Sequence, residues 1–140
     1  MKPLLSLIFC LICCNLFGQR PKTGEKIYLE KYPLEQINYV SNASLVVSNT
    51  VDEDMIVVLR DGGYHFISHV YLRAYDSYVF ENLPVGHFVY QYYNLKNYYE
   101  SPERIPINLD SEQYLDFYYS TGAKKIIGFE ITEEEFFRNN

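Results

Sequence analysis

The sequence predicts an all-β protein, a single antiparallel β-sandwich of about seven strands. Three observations carry that reading. Short runs rich in β-branched and aromatic residues recur from Ser44 onward. Turn residues separate several of them, as in Asp61-Gly62-Gly63, Asn82-Leu83-Pro84-Val85-Gly86 and Ser120-Thr121-Gly122. Within the runs, apolar and polar residues alternate with a period of two. At 140 residues the chain has the length of one domain, enough to bury roughly two thirds of its unfolded surface without metal or disulfide staples. A hydrophobic content of 48% with 21% charged residues excludes a disordered chain.

Residues 1–18 read as a signal peptide. Lys2 supplies a positive start, and Leu4 to Phe17 is an apolar run broken only by Ser6 and Asn15. That run is shorter than the roughly 20 residues a membrane-spanning helix needs. The expected cleavage lies between Gly18 and Gln19, which makes the protein an exported one, placed in the periplasm, the outer envelope or the medium. All three cysteines, Cys10, Cys13 and Cys14, fall inside the leader. Its removal leaves no thiol for a disulfide, a zinc site or a nucleophile. Leu11-Ile12-Cys13-Cys14 also resembles a bacterial lipobox, so the alternative is a chain anchored to the envelope by a lipid on Cys14. Without residues 1–18 the chain loses one lysine and no acid, leaving 11 bases against 18 acids and a charge of −7. That balance argues against nucleic acid as a partner.

Residues 19–43 form a polar N-terminal segment in which Glu25 to Tyr32 reads as either a short helix or an edge strand. The sandwich domain is expected over 44–140. Its strands are Leu45 to Ser48, Met55 to Arg60, Tyr64 to Arg73, Tyr75 to Glu81, His87 to Tyr93, Tyr114 to Ser120 and Lys125 to Ile131. Parity assigns Phe88, Tyr90 and Tyr92 to the interior, together with Tyr78 and Phe80, with Leu115, Phe117 and Tyr119, and with Ile127, Phe129 and Ile131. In Tyr64 to Arg73 the apolar face holds Tyr64, Phe66, Val70 and Leu72, which leaves His65, His69, Tyr71 and Arg73 opposite. With 15 tyrosines, nine phenylalanines and no tryptophan, this is a core built largely of rings.

The stretch Tyr78 to Tyr90, Tyr-Val-Phe-Glu-Asn-Leu-Pro-Val-Gly-His-Phe-Val-Tyr, resembles the strand–turn–strand of transthyretin-like, carboxypeptidase-regulatory-like sandwich domains. The stretch also resembles small secreted bacterial proteins of uncharacterised role built on that unit. Pro84 presets the turn, Gly86 permits a backbone conformation closed to other residues, and Phe88 and Tyr90 re-enter the core. The resemblance implies a transthyretin-like or Ig-like sandwich and names no activity, because sites rather than folds carry function.

Catalytic constellations are not evident. There is no Gly-x-Ser-x-Gly elbow, His-Glu-x-x-His helix or phosphate loop. His65 and His69 are four residues apart, roughly 13 Å on a strand, too far to share a metal ion. They and His87 read as solvent-face residues. Asp52-Glu53-Asp54 reads as a solvated turn, and Glu133-Glu134-Glu135 before Phe136-Phe137 as a charged terminus or a tail that docks on a partner. No catalytic residue, metal or cofactor is therefore expected. The surface nominated for binding is Tyr93, Tyr98 and Tyr99, which flank the loop Asn94-Leu95-Lys96-Asn97. The functional expectation is a non-catalytic secreted or envelope-associated module that docks on another envelope protein. The alternative is a carbohydrate- or peptidoglycan-binding module using exposed tyrosines, with an enzyme a distant third.

Overall fold

A computed structural model of the protein describes residues 18–139. Residues 1–17, which hold nearly all of the expected leader and the lipidation candidate Cys14, lie outside them. The described chain is an all-β sandwich. Its strands are β1 (Ser44–Asn49), β2 (Met55–Arg60), β3 (Phe66–Leu72), β4 (Ser77–Phe80), β5 (Gly86–Tyr93), β6 (Tyr98–Glu100), β7 (Ile105–Ile107), β8 (Glu112–Phe117) and β9 (Phe129–Ile131), followed by one short helix, α1 (Glu133–Phe136). One sheet has the order β4-β1-β8. The other runs β3-β2-β5-β6-β9, with β7 pairing the first half of β5. Among the described residues no helix is long and apolar enough to cross a membrane.

Nine strands rather than seven arise because β6 and β7 are three residues long, too short to display an alternation. Both pair antiparallel with β5, Tyr92 opposite Tyr99 and His87 opposite Pro106. The sheets are not wholly antiparallel: β1 runs parallel to β8, with Val47 opposite Leu115. The turn after Phe80 carries the chain from one sheet to the other, since β4 and β5 lie in different sheets. Asn82 takes φ 53° there. Hairpins form instead at β2–β3 and at β5–β6, the second closed by residues 94–97, where Asn94 Oδ1 accepts from the main-chain N–H groups of Lys96 and Asn97.

Between the sheets, Leu45, Val47, Phe80, Leu115 and Phe117 meet Met55, Val57, Leu59, Val70, Leu72, Phe88 and Tyr92, and of these parity assigns Phe80, Leu115, Phe117, Val70, Leu72, Phe88 and Tyr92 inward. The larger sheet is covered on its back face too. Ile56, Val58, Phe66 and Tyr71 pack there against Tyr32 of the N-terminal segment and Phe136 of α1. Every residue of β2 is buried as a result. The unbroken apolar run Met55-Ile56-Val57-Val58-Leu59 has this cause: a strand covered on both faces has no need of a polar parity.

Several expectations are corrected by that third layer. Residues 25–32 are neither helix nor strand. They form turns that cross the back of the larger sheet, tied to its edge where Gly24 N–H donates to Tyr71 C=O and Tyr71 N–H to Glu25 C=O. Phe66 does not share a face with Val70 and Leu72, because a register shift between β2 and β3 moves it to the back and turns Ile67 inward. His69 and Tyr71, assigned to solvent, are buried beneath the cover. Ile127 and Phe129 are 54% and 64% exposed; residues 120–128 run mostly as turn and bend, and only Ile126 and Ile131 pack inward. The terminus is no free tail. Thr132 and Glu135 form a capping box that starts α1 and lays Phe136, fully buried, on the back face.

These placements predict a contrast. Phe88→Ala and Phe136→Ala should each destabilise by about 3–5 kcal/mol in chemical denaturation, whereas Phe129→Ala should stay within about 0.5 kcal/mol. Equal effects at all three positions would contradict the covered back face.

Candidate functional site

The nominated tyrosines are half-buried and engaged within the chain. Tyr93 and Tyr98, partners across β5 and β6, stack with ring centroids 4.3 Å apart. Tyr98 also packs on Phe136 at 5.0 Å, and the hydroxyl's pKa is pushed up to about 12, chiefly by loss of solvation. Tyr99 faces the other side of the sheet and stacks on Tyr92 at 5.0 Å. The hairpin therefore splits the three rings between two cores, Tyr93 and Tyr98 behind the sheet and Tyr99 between the sheets.

The histidines are also separated. His65 is exposed and sits 3.2 Å from Asp61 in its own turn. His87 is exposed on β5. His69 is 1% exposed on the back of β3, flanked by the rings of Tyr28, Tyr32 and Phe66. The acidic triplet is dispersed. Asp52 accepts from Tyr119, Glu53 from Lys96, and Asp54 from Tyr71 and from Ala74 N–H while pairing with Arg20. Arg20 holds the Asp54 carboxyl far below the usual range, with Tyr71 and Ala74 adding to the effect. Among the described residues no three His, Cys, Asp or Glu side chains come together.

What the structure does bring together is a cleft between the N-terminal segment and β3. Tyr32 stacks on Phe66 at 4.5 Å, nearly parallel, which anchors the segment. Beyond Pro33 the segment stays on the edge of the sheet, where Gln36 N–H donates to Ile67 C=O, and between segment and sheet lies a cavity of about 410 Å³, lined by Leu29, Tyr32, Leu34, Ile37, Phe66 and His69. At its polar side, Lys26 and Glu35 pair at 2.8 Å. Ser68 Oγ accepts from Lys26 Nζ at 2.9 Å and donates to Glu35 at 2.7 Å. On the floor, His69 Nε2 accepts the Tyr28 main-chain N–H at 3.0 Å, so the neutral ring carries its proton on Nδ1. That Nδ1 is buried and has no hydrogen-bond partner among the described residues. Burial, reinforced by the nearby Lys26 charge, lowers the pKa of His69 to about 4.

Past the cleft, Tyr39 and Val40 are 77% and 84% exposed. Asn38 N–H donates to Asn82 C=O, and Asp110 N–H to Ser41 C=O, which brings this turn beside Val85 and Leu109, both also exposed. One end of the sandwich thus gathers exposed apolar side chains from three loops. Residue-by-residue reading missed this surface because its members lie in a segment with no periodicity. The signal present was the density of Leu34, Ile37, Tyr39 and Val40 in a segment otherwise read as polar. Comparison with family models, curated proteins and solved structures finds no match to the chain.

Two outcomes follow. Changing Tyr93, Tyr98 and Tyr99 together to Ser should lower the melting temperature by about 10 °C or more, since each removes a stacked, half-buried ring; for a domain near this size that is roughly 2 kcal/mol or more. An unchanged melting temperature would show the rings to be dispensable for folding. The second outcome concerns pH. His69 has a lower pKa folded than the roughly 6.5 of the unfolded chain, so the unfolded state binds the extra proton. Stability should be full above about pH 6.5 and fall toward pH 4, by on the order of 3 kcal/mol. Urea denaturation of the protein and of His69→Gln at pH 7 and pH 5 checks this: the variant should lose much of the slope.

Proposed function

We propose that the protein is a non-catalytic docking module, exported to the cell envelope or beyond it, whose partner is another envelope protein. The observation that carries this reading is the exposed apolar end of the sandwich. Leu29, Leu34, Tyr39 and Val40 are each more than two-thirds exposed. Isolated exposed apolar residues are ordinary, but several from adjoining loops around an apolar cleft mark an interaction surface. The surface is mainly aliphatic, which suits a protein better than a sugar, since sugars stack on flat rings. The rings first considered as a glycan platform, Tyr93, Tyr98 and Tyr99, have their stacking partners within the chain. Export rests on the leader read at residues 1–18, with the lipid-anchored form through Cys14 as the alternative.

One preparation tests both parts. The mature chain recovered from the envelope fraction should begin at Gln19 by mass spectrometry and should co-purify with a protein partner. The double variant Leu34→Asp, Val40→Asp should lose that partner at least tenfold with little change in melting temperature, since neither side chain is packed. Undiminished co-purification, or retention on insoluble polysaccharide that the variant leaves intact, would overturn the docking reading.

A further inference from the structure

We propose that the cleft beneath Leu34 seats an apolar side chain of that protein partner, with the adjoining peptide carbonyl accepting the Nδ1–H of His69. This deepens the docking reading and rests on it. Leu29, Tyr32, Leu34, Ile37 and Phe66 give the cleft apolar walls, and about 410 Å³ lies within the range of sites that enclose small ligands. An apolar occupant is therefore expected, and the floor adds one polar requirement. His69 is 1% exposed, and its Nε2 is committed to the Tyr28 N–H, which leaves Nδ1–H a buried donor without an acceptor among the described residues. Such a donor is costly to leave unmade, so a ligand that brings an acceptor gains more than its apolar contact alone.

The acceptor should be uncharged. Lys26 and Glu35 already neutralise each other at the cleft, with Ser68 bridging them. A charged ligand would meet both members of that pair, with no net attraction to offset the cost of its desolvation. A peptide carbonyl beside a leucine-like side chain meets both requirements, apolar volume and a neutral oxygen. The rim is open, Leu29 and Leu34 being 69% and 93% exposed, and the rings over His69 give way as the carbonyl reaches Nδ1, which is sealed from solvent in the free protein.

The test is a long-range proton–nitrogen spectrum of the histidine rings in the purified protein, titrated with N-acetyl-leucine N-methylamide. His69 should show the neutral Nδ1–H form, and its ring signals should move saturably, with a dissociation constant on the order of 1 mM for so small a probe. Leu34→Asp, which puts a charge on the cleft wall at a position 93% exposed, should weaken the effect at least tenfold. Unmoved His69 signals, or a shift indifferent to Leu34→Asp, would overturn the assignment. Methyl octanoate moving the signals where the peptide probe does not would overturn it in favour of an acyl ester. If the double variant sheds the partner while the probe stays silent, the docking surface stands and the cleft assignment falls. A probe that binds alongside undiminished partner retention in the double variant overturns both, because the cleft would then serve a ligand other than that partner.

Discussion

The structure turns on one buried cation. Arg60, at the end of β2, is fully buried behind the larger sheet. Its Nε donates to Gln91 Oε1 at 2.8 Å, its Nη1 to Tyr64 C=O at 3.1 Å and its Nη2 to Phe136 C=O at 2.8 Å. A buried guanidinium must be hydrogen-bonded throughout or it costs several kcal/mol. Here the partners come from β5, from the turn before β3 and from α1. Tyr32 closes the set, donating its hydroxyl to the same Phe136 carbonyl at 2.7 Å while its ring lies 5.9 Å from the guanidinium. The N-terminal segment and the C-terminal helix are thus fastened at one carbonyl, above one side chain.

Much of the local geometry follows from that requirement. Tyr64 takes φ 67°, a left-handed conformation that costs a non-glycine residue about 1–2 kcal/mol. The same residue supplies a carbonyl to Arg60 and a hydroxyl 3.3 Å from Glu100. Glu100 is the balancing charge, held one hydrogen bond away because Gln91 accepts from Arg60 and donates to Glu100 at 2.9 Å. Because Arg60 holds the cover in place, the back face of the larger sheet stays dry. Where the cover runs along β3 from Tyr32 to Ile37, the cleft lies between them and His69 forms its floor.

The interface between the sheets was legible, and the back layer was not. Alternation in β4, β5 and β8 assigned Phe80, Phe88, Tyr92, Leu115 and Phe117 to the core correctly, because those strands face a partner on one side only or pair it with polar residues. In β2 and β3 the period-two argument lost its basis, since both faces are covered. His69 and Tyr71 were consequently placed in solvent. Two signals were readable in principle: the unbroken run Met55 to Leu59, which only a doubly covered strand tolerates, and Thr132-x-x-Glu135, a capping box ahead of Phe136. The face taken by Phe66 was not readable, because it depends on a register shift set by pairing with β2. Nor was the cleft, whose walls come from a segment without regular structure and whose single polar demand depends on which ring nitrogen Tyr28 engages.

The central claim is that Arg60 couples the segment around Tyr32 to α1 across the back of the sheet. Amide hydrogen exchange of Arg60→Met against the unaltered protein tests it most directly. The account predicts that protection falls together in residues 25–36 and 133–138, while β1, β4 and β8, which do not touch Arg60, keep theirs. Unchanged protection in both end segments, or loss confined to α1, would contradict it.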